Sequence, residues 1–408
     1  MTQEKALEIL KSGRNVFLTG IAGAGKTYVL IQYIQHLRDQ KISFGVTAST
    51  GIVAAQIDGT TIHSFSGLGI RDEITQKDLE RMQHIPDLSN RIKTIKVLII
   101  DEISMLAAEQ LDLVDKIFRF MRGKSEPFGG VQIVFCGDFL QLPPVRGNFA
   151  FKSDSWSDAE LAICYLDQAF RQKEGGLLDV LNAIRNNEVN DNIRSMVAER
   201  LGKKIPESTT LYTHNIDVDS YNAEELAKIK KKSHFYKMDT EGDERIVANL
   251  KKSCLSPEVL ELKEGAKVIV TKNIFNEGLV NGTLAIVKKC NKYSVKIQTM
   301  DGNTVDLERE MGKWSVFTAS GRPIASIYQI PLRLAYAITI HKSQGMTLDA
   351  AVMNLSKVFQ TGQGYVALSR LRSLEFLSLE EEVNEHAFKV SPECFEYEQT
   401  IIAQSKLL

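Results

Sequence analysis

Gly20, Gly25, Lys26 and Thr27 stand in the stretch GIAGAGKT, with four residues between the two glycines. Glycine lets backbone N–H groups converge on phosphate oxygens where a Cβ would intervene. Lys26 is placed to reach the β- and γ-phosphates of a nucleoside triphosphate, and the Thr27 hydroxyl to hold Mg²⁺. The cradle comprises Gly20, Ala22, Gly23, Ala24 and Gly25, with Tyr28 just behind it. Asp101 and Glu102 follow the apolar run KVLII, and a carboxylate at a strand end beside such a loop suits Mg²⁺. Asp101 takes that role, and Glu102 that of a general base that orients the attacking water. An Asp-Glu pair after a strand also arises as a plain helix N-terminal charge pair, so its weight comes from the glycine loop. Gln141, in FCGDFLQLPPV, offers an amide to sense the γ-phosphate, and Pro143-Pro144 stiffen the loop that follows. Arg171 and Arg370 offer planar guanidinium groups, the natural stabilisers of charge spread over a phosphoryl group.

The elements around these residues read as α/β. NVFLTG, ISFGVTA, KVLIID, VQIVFCGD and AICYLD are β-rich, largely continuous apolar runs, the pattern of parallel strands covered on both faces. Behind the glycine loop, Val29, Leu30, Tyr33, Ile34 and Leu37 recur at helical spacing. The segment DEITQKDLERMQHIPDLSNRIKT is polar, contains a proline and reads as a small helical insertion. A second α/β pattern begins at TTLYTHN and resumes at AYAITIHKSQG; between them lie short alternating runs with Gly and Asn turns, read as a small inserted all-β barrel. The expected organisation is therefore a first α/β domain of residues 1–65 and 96–185 with an insertion at 66–95. A second domain spans 186–262 and 331–408, interrupted by a barrel at 263–330.

At 408 residues the chain exceeds one ordinary core. Fifty basic and 51 acidic residues give a net charge of −1, so a polyanionic partner requires a local positive groove. No apolar stretch approaches the roughly 18 residues of a membrane span, and MTQEKALEIL lacks a signal-peptide pattern. Five scattered cysteines without a C-x-x-C pair read as reduced core thiols.

The ordered set GIAGAGKT, TASTGIVAAQIDGTTIHSFSG, LIIDEISM, GDFLQLPPV, AFRQ, THN, GLVNG, TIHKSQGMTL and YVALSR resembles the Pif (petite integration frequency) family, in the RecD-like branch of superfamily 1 DNA helicases. The resemblance runs across nearly the whole chain. It implies two RecA-like domains with ATP and Mg²⁺ in a cleft between them, the nucleotide contacted by Gln3 as adenine reader and by Gly345. Lys26, Glu102, Gln141 and the arginine fingers Arg171 and Arg370 become the catalytic set. Thr50, Thr61 and His63 become contacts to single-stranded DNA, with Phe65 and Phe139 as stacking faces; Thr213, Asn215, His341 and Lys342 are their counterparts in the second half. The implied activity is ATP-driven translocation on single-stranded DNA, 5′ to 3′, with unwinding of duplex, forked or structured DNA such as G-quadruplexes, in repair, recombination and telomere maintenance. A wedge-like element falls at the 66–95 insertion. The chain begins almost at Gln3, without the long extension of some eukaryotic members, which points to a compact prokaryotic or viral form: a monomer of the cytoplasm and nucleoid. Two other readings stand beside this one: a translocase or relaxase-type module without strong unwinding, and a P-loop switch or kinase, which leaves the second half unexplained.

Overall fold

The five apolar runs form strands β1 (Val16–Gly20), β2 (Phe44–Ala48), β4 (Val97–Asp101), β5 (Gln132–Cys136) and β6 (Ala162–Leu166), joined by a two-residue β3 (Thr60–Thr61). They make a parallel sheet in the order β3-β2-β4-β5-β1-β6. β1, β4 and β6 are buried along their whole length, as parallel strands covered on both faces must be. The structure, a computed structural model, describes residues 1–57, 59–69, 71–172, 175–205, 208–213, 215–272, 274–279, 281–317 and 323–408.

The helix after the glycine loop, Lys26–Asp39, buries Val29, Leu30, Tyr33, Ile34 and Leu37, the five positions of the apolar stripe. They pack on Val16, Leu18, Val97, Ile99, Val134 and Cys164 of the sheet. The insertion folds as two short helices, Gln76–Gln83 and Pro86–Thr94. Thr75 and Asp78 close a capping box on the first. Leu79, Met82, Leu88 and Ile92 are buried, and the pair sits against the helix Ala108–Arg122. Arg122 anchors it by donating to the carbonyls of Ile92 (2.7 Å) and Lys93 (2.9 Å).

The chain divides into two compact units, one mainly of Met1–Lys173 and Val390–Leu408, the other mainly of Glu174–Phe317 and Gly321–Lys389. This differs from the sequence boundaries at the carboxyl end. The helix Pro392–Ser405 packs on β6 of the first unit: Ser405 accepts from the Tyr165 N–H (3.1 Å), and the Tyr165 hydroxyl donates to Glu398 (3.0 Å). Edge strand β6 is thereby covered by a segment more than two hundred residues later in the chain.

The second unit holds a four-stranded parallel sheet of Ala337–Thr339, Thr209–Tyr212, Ala351–Met353 and Leu377–Leu379, in that spatial order. The all-β part is a five-stranded antiparallel sheet between Lys267 and Leu334. It starts earlier than residue 263, because His234–Lys237 pairs with Val259–Leu262 and Asp239–Gly242 pairs with Pro323–Tyr328.

Candidate nucleotide and DNA site

The glycine loop leaves β1 at the carboxyl edge of the sheet, where open α/β folds bind ligands. Gly20 has φ +135°, and a methyl group there would collide with the Leu166 carbonyl, so β1 and β6 approach too closely for any other residue. Gly25 is held to glycine by its left-handed φ of +83°, and a Cβ there would also displace the Gln3 amide. The Gln3 amide nitrogen donates to the Ala24 carbonyl at 2.9 Å, which seats this side chain on the loop. The Lys26 ammonium donates to the carbonyls of Gly20 (2.8 Å) and Ile21 (3.1 Å) and so lies folded over its own loop. Ala22 is buried, whereas Thr27 and Tyr28 are exposed.

Asp101 ends β4 and is buried. Burial raises its carboxyl pKa, opposed by the Cys136 thiol, the Glu102 N–H and the Lys26 charge, so the cation and this acid are electrostatic neighbours. One Asp101 oxygen accepts the Glu102 N–H at 2.9 Å. Glu102 itself takes φ 49°, ψ 48°, a left-handed conformation that costs a β-carbon-bearing residue roughly 1–3 kcal/mol. Ser49 fixes that turn by donating its hydroxyl to the Glu102 carbonyl at 2.9 Å. Gln141 is buried, and its amide donates to Asp138 at 3.1 Å. Asp138 also accepts from the Leu140 N–H (3.2 Å), so one buried acid sets both the loop and the amide. Arg171, 145 residues after Lys26 in the chain, belongs to the same unit and comes to the loop itself. The Phe170 N–H donates to the Gly23 carbonyl at 2.9 Å, and a Cβ on Gly23 would meet Arg171 and Gln172.

In the second unit Arg370 is among the largest fully buried side chains. Its guanidinium donates to the Val366 carbonyl (2.8 Å), the Ser369 hydroxyl (2.7 Å), and the Ser343 and Met346 carbonyls (3.4 Å each). The sequence reading makes it an arginine finger; here it ties the helix Gln363–Leu368 to the turn carrying His341, Lys342 and Gly345. Gly345 is exposed at φ +77°. His341 and Lys342 are half-buried, and desolvation, then Arg333, lowers the Lys342 pKa against the pull of Asp219. Thr213 is buried; the Asn215 side chain lies outside the described residues, although its backbone opens the helix Asn215–Lys228.

Of the proposed strand contacts, Thr50 and Thr61 cap helices Gly51–Gln56 and Ile62–Ser66, accepting from the Val53 and Ser64 N–H groups. His63 is half-buried beside Gln110, and burial lowers its pKa. The Phe65 ring packs on Gly45, and Arg91 lies over it at 4.9 Å. Phe139 is a correction. It is 5% exposed, and rings of Phe17, Phe149, Phe151, Trp156 and Tyr397 surround it with centroids at 4.9–6.2 Å. An aromatic whose faces are covered by packing offers none to a base. Sequence reasoning passed over Cys136, Asp138, Arg91 and Gln110. Asp138 stood inside a quoted motif and was legible; Arg91 and Gln110 carry no local signal.

A parallel sheet with this glycine loop, Asp101 and Glu102 at its carboxyl edge, and a second parallel sheet define a P-loop NTPase with two RecA-like domains. Residues 2–207 match the family model of the PIF1-like helicase, and residues 247–289 that of the DNA helicase Pif1 2B domain. The chain belongs to the PIF1-like helicase family. It is 41% identical to an ATP-dependent DNA helicase Pif1 of Psychrobacter sp., over 93% of this chain and 67% of that protein. It is 38% identical to ATP-dependent DNA helicase PIF1 of Xenopus laevis, over 92% of this chain but 60% of that longer protein. A crystal structure of Bacteroides Pif1 with ADP-AlF3 and ssDNA superposes with a TM-score of 0.69 at 30% identity, covering 98% and 96% of the two chains. No helix among the described residues is long and apolar enough to cross a membrane.

Proposed function

We propose that the chain is an ATP-dependent DNA helicase that moves along single-stranded DNA, 5′ to 3′, and separates duplex or forked DNA. The observation that carries this reading is the gathering of Gln3, Lys26, Asp101, Gln141 and Arg171 in one unit of a PIF1-like chain, each held by loop or strand-end contacts. The relative from Bacteroides, crystallised with a nucleotide analogue and ssDNA, supports the choice of ligands.

The donor set fits Mg²⁺: a buried carboxylate and a hydroxyl, Asp101 and Thr27, are hard oxygen ligands. Held by these two oxygens, Mg²⁺ would supply neutralisation of phosphate charge. Lys26 exchanges its loop carbonyls for phosphate oxygens at little conformational cost. Glu102 orients the water for in-line attack, and Gln141, aimed by Asp138, reads the γ-phosphate. Arg171 adds charge stabilisation from the same unit. Thr50, Thr61, His63, Thr213, Asn215, His341 and Lys342 hold the strand by its backbone, a mode that positions DNA without reading its sequence. Burial keeps His63 neutral near pH 7, suited to a hydrogen bond rather than a charge contact. The two-helix insertion acts as the wedge at the fork. We further propose action as a monomer at the nucleoid, with structured DNA, G-quadruplexes included, among its substrates.

The test pairs ATP turnover with and without single-stranded DNA and displacement of a strand from a 5′-tailed fork. Stimulation with displacement is expected. Stimulation without displacement leaves a translocase, and turnover indifferent to DNA removes the helicase reading.

A further inference from the structure

Two ten-residue segments of the second unit, KIKKKSHFYK (228–237) and VKKCNKYSVK (287–296), hold nine lysines and no acidic residue. In a chain of net charge −1 this is a local concentration of positive charge. The second segment is the hairpin of Leu284–Cys290 and Ser294–Thr299. A β-bulge interrupts its register between Val287 and Lys289, leaving Lys288 as the extra residue. Strict alternation would turn one of two successive residues inward. The bulge instead exposes Lys288 and Lys289 together while Val287 and Cys290 stay buried.

Lys289 also lies directly opposite Lys296 across the ladder, a like-charge pairing that destabilises a sheet unless an anion uses it. At the hairpin turn Tyr293 is 67% exposed, with the Lys292 ammonium 4.9 Å from its ring centre. The two segments adjoin, because the Tyr236 hydroxyl donates to the Asn291 carbonyl at 2.8 Å. Tyr236 is buried, whereas its neighbours Phe235 and Lys237 are exposed. Lys228 pairs with Glu225, Asp306 stands across the sheet from Lys296, and Glu261 faces Phe235. For the other lysines no ion pair is formed among the described residues.

We propose that this face of the antiparallel part is a second DNA-contacting surface, which holds the phosphodiester backbone through residues outside the strand-contacting motifs. The DNA identity of the polyanion rests on the helicase reading; the surface itself rests on the bulge and the facing lysines. Lysine is a point charge without the planar fork that reads base edges, so the contact is independent of sequence. Tyr293 and Phe235 add faces on which unpaired bases can stack.

The experiment uses the full chain with Lys288→Gln, Lys289→Gln and Lys292→Gln combined. Affinity is measured against salt for a single-stranded oligonucleotide and for a blunt duplex. DNA-free ATP turnover and melting temperature report on the fold and stay at wild-type values. Loss of three contacts makes the log–log slope shallower by roughly 2 on a single strand, at about 0.7 each, and by nearly 3 on duplex. The probe that shows the change identifies the strand held there. Wild-type slopes on both probes overturn the surface and leave the helicase reading standing. A wild-type chain that binds neither probe overturns both.

Discussion

Lys26 and Glu102 sit in one loop system but fail in different ways when altered. Lys26→Ala removes the charge assigned to phosphate and leaves the proposed strand contacts intact, so ATP turnover is expected to be abolished while single-strand binding, measured by fluorescence anisotropy, survives. Glu102→Gln keeps the left-handed turn and the Ser49 contact, so nucleotide still binds; turnover falls at least ~10²-fold, the scale of a lost general base. Equal loss of nucleotide affinity would show that Glu102 shapes the loop rather than the water. Arg370 was the residue least legible beforehand. As an arginine in a motif it reads as a finger, and its bonds to Val366, Ser369, Ser343 and Met346 also make it a buried strut. Arg370→Ala strands carbonyls at a cost of roughly 1–3 kcal/mol per unsatisfied group. A lowered melting temperature is therefore expected along with lost turnover; an unchanged melting curve would refute the strut. Phe139 teaches the same lesson from the apolar side, because its partners Phe17, Trp156 and Tyr397 are scattered over the chain and no local window shows them together.

At the level of elements, the strands and helix of the glycine-loop unit were legible because burial on both faces leaves long apolar runs. The ribbon His234–Leu262 was not, since Asp239–Gly242 is exposed at every position and carries no hydrophobic period. The insertion was legible as helical, and its packing refines how to test it. Leu79, Met82, Leu88 and Ile92 lie under it, so excising 70–92 for a Gly-Ser linker uncovers the helix Ala108–Arg122 and risks the fold. The turn between its helices, however, carries Ile85, which is 50% exposed. Apolar side chains of this kind part stacked base pairs in other proteins. Ile85→Ser is expected to leave DNA-stimulated ATP turnover near wild type and to slow strand displacement on a fork. Unimpaired displacement would take the turn out of the mechanism.

For the whole molecule, near-zero net charge hides unlike regions, and DNA affinity is expected to fall steeply with salt, each single-strand phosphate contributing about −0.7 to the slope. A flat response would mean that stacking carries binding. The division into units was the part that sequence could not reveal at the carboxyl end, for the helix Pro392–Ser405 announces itself as a helix but not as the cover of β6. That cover has a consequence during synthesis. The sheet with the glycine loop leaves the ribosome early, yet Glu398 and Ser405, which complete its edge, emerge after residues 174–389, a delay of roughly 10–40 s at about 5–20 residues per second. Throughout that interval the nascent first unit has a β6 edge closed by Met1 at the Tyr165 carbonyl but lacking its Ser405 partner, and an unfilled place in its aromatic cluster, the state in which a chaperone would most readily find it.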